Sequence, residues 1–196
     1  NGCVFCNPET FTGEYQSQNL SIKAQLENAI PRIKRARGDV ALLAYFQDET
    51  STAGSLDFLK VKFKQALSHP EIIGLVISTR PDFVNLEILE LLKSFQVPLT
   101  IEIGLQSIHD KSLKLLNRGH TFEQAEKTIQ QCGENGLDVG VHLIMGIPGE
   151  SFADMKKTVQ CISANKFIKQ VKFHNLVVYK NTKLAEMNLP ILTIDE

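Results

Sequence analysis

Residues 139–145 read VGVHLIM and are followed at once by GIPGE at residues 146–150. A continuous apolar run of this length is typical of a strand that is buried on both faces, as in a parallel sheet. Glycine and proline then favour a sharp turn. Because chemistry in α/β barrels collects where parallel strands end, this stretch predicts a parallel sheet with a site at its carboxyl edge.

The same pattern recurs along the chain. Four further strands are predicted, at Val40–Phe46, Ile72–Ile77, Leu99–Ile103 and Val171–Val178. Segments with a helical spacing of apolar residues separate them. Repeated strand–helix units imply parallel strands joined by right-handed crossovers. Periodicity alone leaves open a curved, barrel-like sheet and a flat, doubly wound one.

The composition is that of an ordinary globular domain. The chain has 196 residues, 43% of them hydrophobic and 22% charged, with a net charge of −1, so we expect one domain over residues 1–196. This charge gives no electrostatic footprint for nucleic acid. No apolar run approaches the roughly 20 residues that span a bilayer. Four cysteines without a secretory cue favour the reducing cytoplasm.

The sequence Cys3-Val4-Phe5-Cys6 offers two thiolates on one short turn. Iron and zinc both bind such a pair, and a redox dithiol has the same spacing. Cys132 and Cys161 lie instead on apolar helix positions, so we expect them to be small buried residues rather than ligands. Taken alone, the pair therefore leaves three kinds of site open.

Seven phrases, in order and in spacing, resemble one enzyme superfamily. They are GCVFCN (2–7), YFQDETST (45–52), STRPD (78–82), EIGLQS (102–107), LNRGHT (116–121), HLIMGIPGE (142–150) and KFHNLVVYKNT (172–182). The superfamily is that of the radical S-adenosylmethionine (radical SAM) enzymes. The resemblance is to the branch of the elongator catalytic subunit and coproporphyrinogen oxidase, and within it to the YhcC-type Fe–S oxidoreductases.

The resemblance implies an α/β fold, a partial (β/α)₆ TIM-like barrel of parallel strands. It also implies a [4Fe–4S] cluster on three cysteines, with S-adenosylmethionine at the open iron position. An electron, supplied by a donor such as flavodoxin or ferredoxin, would cleave S-adenosylmethionine to a 5′-deoxyadenosyl radical. That radical would abstract hydrogen from a substrate that the sequence does not identify, and no catalytic residue is assigned. The cofactors carry the redox chemistry in such enzymes, while the protein orients them.

By the same resemblance, Cys3 and Cys6 match the last two cluster cysteines. We expect the first cysteine, the first strand and a C-terminal region to lie outside this chain. The chain would then hold strands two to six of the barrel, and would be inactive by itself.

The resemblance also implies the S-adenosylmethionine-binding residues. The polar positions among them are Gln47, Thr50, Ser78, Glu102, Gln106, Arg118 and His142. Gly146 and Ile147 belong to a turn that contacts adenine in the family, and Val177 would pass beneath the adenine. We expect folding to gather Gln106, Arg118 and His142 around one mouth, beside the thiol loop.

Three alternatives remain at this point. Glu102 ends an apolar run, so it could form a salt bridge inside the barrel, with Arg80 or Lys172, instead of binding a cofactor. The protein could modify tRNA, by analogy with elongator. The chain could also be a non-catalytic α/β module that holds zinc at Cys3 and Cys6.

Overall fold

The computed structural model describes residues 2–6, 20–47 and 50–190 of the chain. Its strands are β1 (Leu42–Phe46), β2 (Ile72–Thr79), β3 (Leu99–Gln106), β4 (Asp138–Met145) and β5 (Ile168–Asn175). Its α-helices are α1 (Ile22–Arg37), α2 (Leu56–Leu67), α3 (Leu86–Lys93), α4 (Asp110–Leu115), α5 (Phe122–Glu134), α6 (Phe152–Ser163) and α7 (Lys183–Glu186). A short 3₁₀ turn, Pro81–Phe83, precedes α3.

The strands form one sheet in the order β1-β2-β3-β4-β5, and every neighbouring pair is parallel. A doubly wound sheet reverses direction at a switch point, and this order has none. Because right-handed crossovers then all pass on the same side, the helices cover one face and the sheet curves into a half-barrel. The predicted parallel, partial-barrel fold is confirmed.

The convex face of the sheet carries the core. Its fully buried residues include Ile77, Ile103 and Leu105 from strands and Leu59 and Phe63 from α2. The Phe63 ring meets Phe46 edge-on at 5.0 Å between centroids and Phe95 at 6.1 Å. Burial of this kind stabilises by about 1.5–3 kcal/mol for each large side chain.

The concave face is polar, because alternate residues of each strand point to opposite sides. Ser78 pairs with Glu102 across β2 and β3, and Glu102 pairs with Gly140 across β3 and β4. His142 pairs with Lys172 across β4 and β5. These concave-face side chains, which a closed barrel would bury, therefore line the open inner face of the half-barrel.

The strand boundaries differ from the predicted ones by up to three residues, and the difference at the end of β5 moves a predicted site residue out of its strand. The last strand ends at Asn175 instead of Val178, so Val177 lies in the following loop and is half-exposed. The predicted strand extended too far because the residues after Asn175 are also apolar. The pairing of β4 with β5 ends at Met145 and Asn175. Within the described ranges, no helix is both long and apolar enough to cross a membrane.

Candidate active site

A thiol loop, residues 2–6, lies at the carboxyl edge of the half-barrel. It turns tightly, since the amide of Cys6 donates to the carbonyl of Cys3 at 3.3 Å. The amide of Val4 donates to Leu116 at 3.2 Å, and its carbonyl accepts from the amide of Leu184 at 2.9 Å. The loop is thereby fixed between the end of α4 and the start of α7.

An apolar patch supports the loop from below. Val4 and Phe5 pack against the buried side chains of Leu116, Ile144 and Ile147. Ile147, which the resemblance assigns to adenine, is fully buried in this patch. Its side chain therefore supports the thiol loop, while its contact with adenine stays a prediction.

Beside the loop is a cavity of about 640 Å³. The predicted residues that line it are Cys3, Cys6, Thr50, Ser78, Gln106, Arg118 and His142. The expectation that Gln106, Arg118 and His142 share one mouth next to the thiols is confirmed. They come from β3, the loop after α4, and β4, so the fold brings together residues that are distant in the sequence.

Arg118 is the central side chain of the cavity, and it is only 6% exposed. Its Nη1 donates to Cys3 Sγ at 3.0 Å, and its Nη2 donates to the carbonyl of Gly104 at 2.7 Å. Its Nε is buried and has no partner among the described residues. A buried N–H without an acceptor is costly, so this guanidinium is arranged to receive a further acceptor such as a carboxylate.

Two backbone features shape the space around this guanidinium. A Cβ at Gly104 would lie 2.8 Å from Arg118 Nη2 and 3.0 Å from Gln106 Nε2, so glycine leaves room for both side chains. Gln106 has φ of +72°, a left-handed conformation that non-glycine residues rarely adopt. Such conformations cluster at functional sites, where the surrounding fold enforces them.

Arg80, one of the two alternative salt-bridge partners predicted for Glu102, lines the cavity. Its Nε and Nη2 donate to the two carboxylate oxygens of Asp82 at 2.9 and 2.6 Å. His120 lies buried behind Asp82, and burial, followed by the charge of Arg118, lowers the pKa of His120. A Cβ at Gly119 would lie 2.4 Å from Arg80 Nη2, so a larger residue would displace this pair.

A second group of polar residues, the glutamate cluster, lies on the concave face and consists of Tyr45, Glu102, His142, Lys172 and His174. Glu102, only 1% exposed, accepts from Tyr45 Oη at 2.6 Å and contacts His142 Nε2 at 2.8 Å through the same oxygen, Oε2. Its Oε1 pairs with Lys172 Nζ at 2.7 Å. His142 Nδ1 lies 3.0 Å from His174 Nε2. Of the two salt-bridge partners expected for Glu102, the structure shows Lys172.

The cluster keeps Glu102 ionised. Burial alone would raise the pKa of this carboxyl, but the hydrogen bonds from His142, Lys172 and Tyr45 outweigh burial and lower the pKa to about 2. Burial, and then the hydrogen bond to Glu102, raises the pKa of Tyr45, so its hydroxyl keeps the proton that it donates. The cluster is thus a fixed carboxylate surrounded by donors from β1, β4 and β5.

Some predicted residues lie away from the cavity. Gln47 is exposed and borders a smaller cavity of about 170 Å³ next to α1. The amide of Gly146 donates to Met155 Sδ at 3.4 Å. Val177, Ile147 and Glu102 are likewise absent from the described lining of the large cavity. The structure places Glu102 in the glutamate cluster, and its role toward S-adenosylmethionine stays a prediction.

The sequence interpretation missed three lining residues after β5, namely Asn181, Thr182 and Lys183. Thr182 caps α7 by accepting from the amide of Ala185 at 3.3 Å. A threonine followed by a short helical segment was the available signal for this turn. Its distance of more than 170 residues from the thiol loop hid its place in the cavity.

The metal-binding chemistry of the cavity rests on two thiols. No group of three or more His, Cys, Asp or Glu side chains that could hold a metal is found within residues 2–6, 20–47 and 50–190. Cys132 is buried, which raises its pKa to about 12, and burial also raises the pKa of Cys161. Neither lines the cavity, so the sequence supplies two of the thiolates that an iron–sulfur cluster needs.

Comparison with known proteins identifies the family. The sequence pattern of the Radical SAM superfamily matches residues 1–162. Protein YhcC of Escherichia coli (strain K12) is 37% identical over 188 residues, which are 94% of this chain and 59% of that protein. Uncharacterized protein MJ0486 of Methanocaldococcus jannaschii is 37% identical over 192 residues, 95% of this chain and 59% of that protein.

A solved structure agrees with these relatives. Archaeal Elp3 from Methanocaldococcus infernus, with its N-terminus deleted, superposes with a TM-score of 0.75 at 25% identity, over 89% of this chain and 47% of that one. The chain therefore spans somewhat more than half the length of the two curated relatives. On its fold, its sequence and the cavity beside its paired thiols, the chain belongs to the radical SAM superfamily.

Proposed function

We propose that the cavity binds a [4Fe–4S] cluster and S-adenosylmethionine, and that the full-length protein cleaves S-adenosylmethionine reductively to act on a further substrate. One observation carries the proposal. Two thiols on one turn share a cavity with a buried arginine, Arg118, whose Nε–H has no partner among the residues that the structure describes. This arrangement offers a soft metal ligand and a carboxylate-binding fork side by side.

Cys3 and Cys6 would hold the cluster, together with a third thiolate from the full-length protein. When bound, the cluster supplies the electron that breaks a carbon–sulfur bond of S-adenosylmethionine. Val4 and Phe5, which lie between the two cysteines and pack on the apolar patch, exclude water from that side of the cavity. Water exclusion matters because it strengthens electrostatic contacts and protects reactive species.

Arg118 would bind the carboxylate of S-adenosylmethionine. Its Nη groups already contact Cys3 and Gly104, which fixes the plane of the guanidinium before the ligand arrives. A ligand that needs no reorientation of its partner binds with a smaller entropy loss. Gln106, Ser78 and Thr50 supply further hydrogen-bonding groups on the same wall.

The charges of the cavity support an anionic ligand group. Arg80, Arg118 and Lys183 are among the lining residues, and none of the described lining residues is an aspartate or glutamate. The Asp82 carboxylate is paired with Arg80 and offsets its charge. Arg118 and Lys183 are then the lining cations that can bind a carboxylate. A reducing compartment such as the cytoplasm, with flavodoxin or ferredoxin as the donor, suits this chemistry.

The test is anaerobic reconstitution of the natural full-length protein with iron and sulfide, followed by an assay for 5′-deoxyadenosine. We expect product from S-adenosylmethionine in the presence of a reductant, and none from Cys3→Ala or Cys6→Ala. Cys161→Ala, which changes a thiol outside the cavity, is the matched control and should retain product formation. Product from the Cys3→Ala and Cys6→Ala variants at the wild-type rate would refute the proposal.

A tRNA substrate stays a prediction, supported by the structural likeness to Elp3. The net charge of −1 does not favour it. Affinity of the full-length protein for tRNA that falls steeply with added salt would support it, since phosphate binding releases counterions. Absence of binding at low salt would exclude this substrate.

A further inference from the structure

We propose that Glu102, His142 and His174 form a proton relay on the concave face, which takes a proton from an O–H or N–H group of the substrate at His174 Nδ1. The inference deepens the proposed function, on which it rests, because it concerns the substrate of the same half-barrel. It assigns a chemical class to that substrate. The substrate carries a hydroxyl or amino group near the carbon that reacts.

The hydrogen positions follow from the contacts. Glu102 is ionised and can only accept, so His142 Nε2, at 2.8 Å, must carry a hydrogen and donate it. In the proposed relay this is the one ring hydrogen of His142, so that its Nδ1 has a lone pair and accepts from His174 Nε2 at 3.0 Å. His174 is left with a lone pair on Nδ1, and this residue is exposed. The chain of donors therefore ends in one open base.

The proton transfer balances within these three residues. The substrate X–H bond breaks, and a new N–H bond forms at His174 Nδ1. The hydrogen on His174 Nε2 passes across the 3.0 Å contact to His142 Nδ1, so that the positive charge resides on His142 and the negative charge on X. No electrons are exchanged. Glu102, which lies 2.8 Å from His142, stabilises the new imidazolium.

The neighbouring groups favour this direction of transfer. Around the relay, Tyr45 from β1 and Lys172 from β5 both contact Glu102. Ser78 from β2, which pairs with Glu102, carries no charge. Lys172 bonds to both Glu102 and Tyr45, so the lysine and glutamate charges offset each other. Burial, and then the charges of His142 and Lys172, lowers the pKa of His174, which leaves it neutral and able to accept at neutral pH.

The relay also has the right position. His142 lines the same cavity as Cys3, Cys6 and Arg118. His174 lies on the neighbouring strand β5, level with Ile144, and is not among the described residues that line the cavity. A substrate on the concave face would present its reacting carbon toward the thiols and its polar group toward His174. A cluster that only joined strands would have no need of an exposed base at its end.

The test is nitrogen-15 NMR of the natural full-length protein labelled at histidine, with signals assigned through His142→Gln and His174→Gln. Above neutral pH, we expect hydrogen on Nε2 and a lone pair on Nδ1 in both residues. On acidification, we expect imidazolium to appear at His142 while His174 changes to the Nδ1–H form. Imidazolium at His174 with His142 unchanged, or hydrogen on His142 Nδ1 above neutral pH, would overturn the relay.

Two variants sharpen the test. In Glu102→Gln, the proton affinity of the histidine pair should fall about tenfold or more, since an opposite charge in contact is lost. Tyr45→Phe is the matched control, because it removes a hydrogen bond to the same carboxylate oxygen without breaking the relay, and should leave the tautomers unchanged. If Glu102→Gln does not fold, the wild-type tautomers still decide the question. The NMR result does not depend on S-adenosylmethionine cleavage, so failure of the relay and failure of the proposed function remain distinct.

Discussion

The two faces of the sheet are built from the same strands, but one face forms the apolar core and the other forms the polar site. On the convex face, Ile101, Ile103 and Leu105 of β3 are fully buried beneath helices. On the concave face, Glu102, Gly104 and Gln106 of the same strand contact the polar cluster and the cavity. Strand alternation alone separates the two sets.

The difference between the faces is one of specificity. The convex face needs apolar side chains of suitable volume, and cores tolerate exchange of such residues if volume and pattern are kept. The concave face needs particular atoms at particular places, such as Cys3 Sγ at 3.0 Å from Arg118. Substitutions on the convex face should therefore affect stability, and substitutions on the concave face should affect binding.

The largest effect should come from the convex face. Phe63 is fully buried between Phe46 and Phe95, and Phe63→Ala should lower the free energy of unfolding by about 3–5 kcal/mol through lost burial and a new cavity. Denaturant unfolding measures this loss. The folded fraction should bind S-adenosylmethionine as the wild type does. Weakened binding by the folded fraction would show that the convex face also contributes to binding, contrary to this account.

The next effect belongs to the cavity. Arg118→Ala should weaken S-adenosylmethionine binding to the reconstituted protein by about 2–4 kcal/mol, because a buried charged partner of the carboxylate is removed. Arg32→Ala, at an exposed position on α1, is the control and should bind normally. Calorimetry measures both. Equal affinity of the two variants would remove Arg118 from the proposed binding site.

A smaller effect should appear in acid, and it tests whether the concave face also contributes to stability. The pKa of Glu102 is lowered from 4.5 to about 2, so its contribution is present above pH 4.5 and is lost as the pH falls toward 2. We expect the free energy of unfolding to fall by about 2 kcal/mol over this window. This figure already allows for solvent screening, since the Lys172 side chain is 40% exposed.

The measurement for this effect is denaturant unfolding of wild type and Glu102→Gln at several pH values. The wild type should lose its advantage over the variant between pH 4.5 and about 2. An advantage that stays constant through this window would show that the ionised carboxylate contributes nothing to stability.

The smallest effect should come from Gly104→Ala. The new Cβ would lie 2.8 Å from Arg118 Nη2, which is the movable end of a side chain, so the guanidinium should shift at a cost of about 1 kcal/mol. We expect S-adenosylmethionine binding to weaken several-fold while the unfolding midpoint changes little. A large loss of stability with unchanged affinity would reverse the assignment of Gly104 to the site.

The sequence predicted the fold better than it predicted the site. Continuous apolar runs are a local signal, and they located all five described strands to within a few residues. Periodicity left a curved and a doubly wound sheet open, and the family resemblance implied the barrel-like one, which the strand order bears out. Val177 was misplaced because apolar character does not show where hydrogen bonding to a neighbouring strand stops.

The site was predictable where a motif marked it and otherwise not. Cys3, Gln106 and Arg118 stand in motifs, and all three line the cavity. The contact between His142 and His174 depends on the register that brings β4 and β5 together, which no local pattern shows. Ile147 stands in a motif too, and the motif does not show that its fully buried side chain supports the thiol loop.

The central claim is that the cavity beside the two thiols holds an iron–sulfur cluster that contacts S-adenosylmethionine. The most direct measurement is metal and sulfide analysis of the anaerobically purified full-length protein, with EPR of its reduced form before and after S-adenosylmethionine is added. We predict about four iron and four sulfide per protein and an EPR signal that S-adenosylmethionine alters. Stoichiometric zinc with neither iron nor sulfide, or a cluster signal that S-adenosylmethionine leaves unchanged, would contradict it.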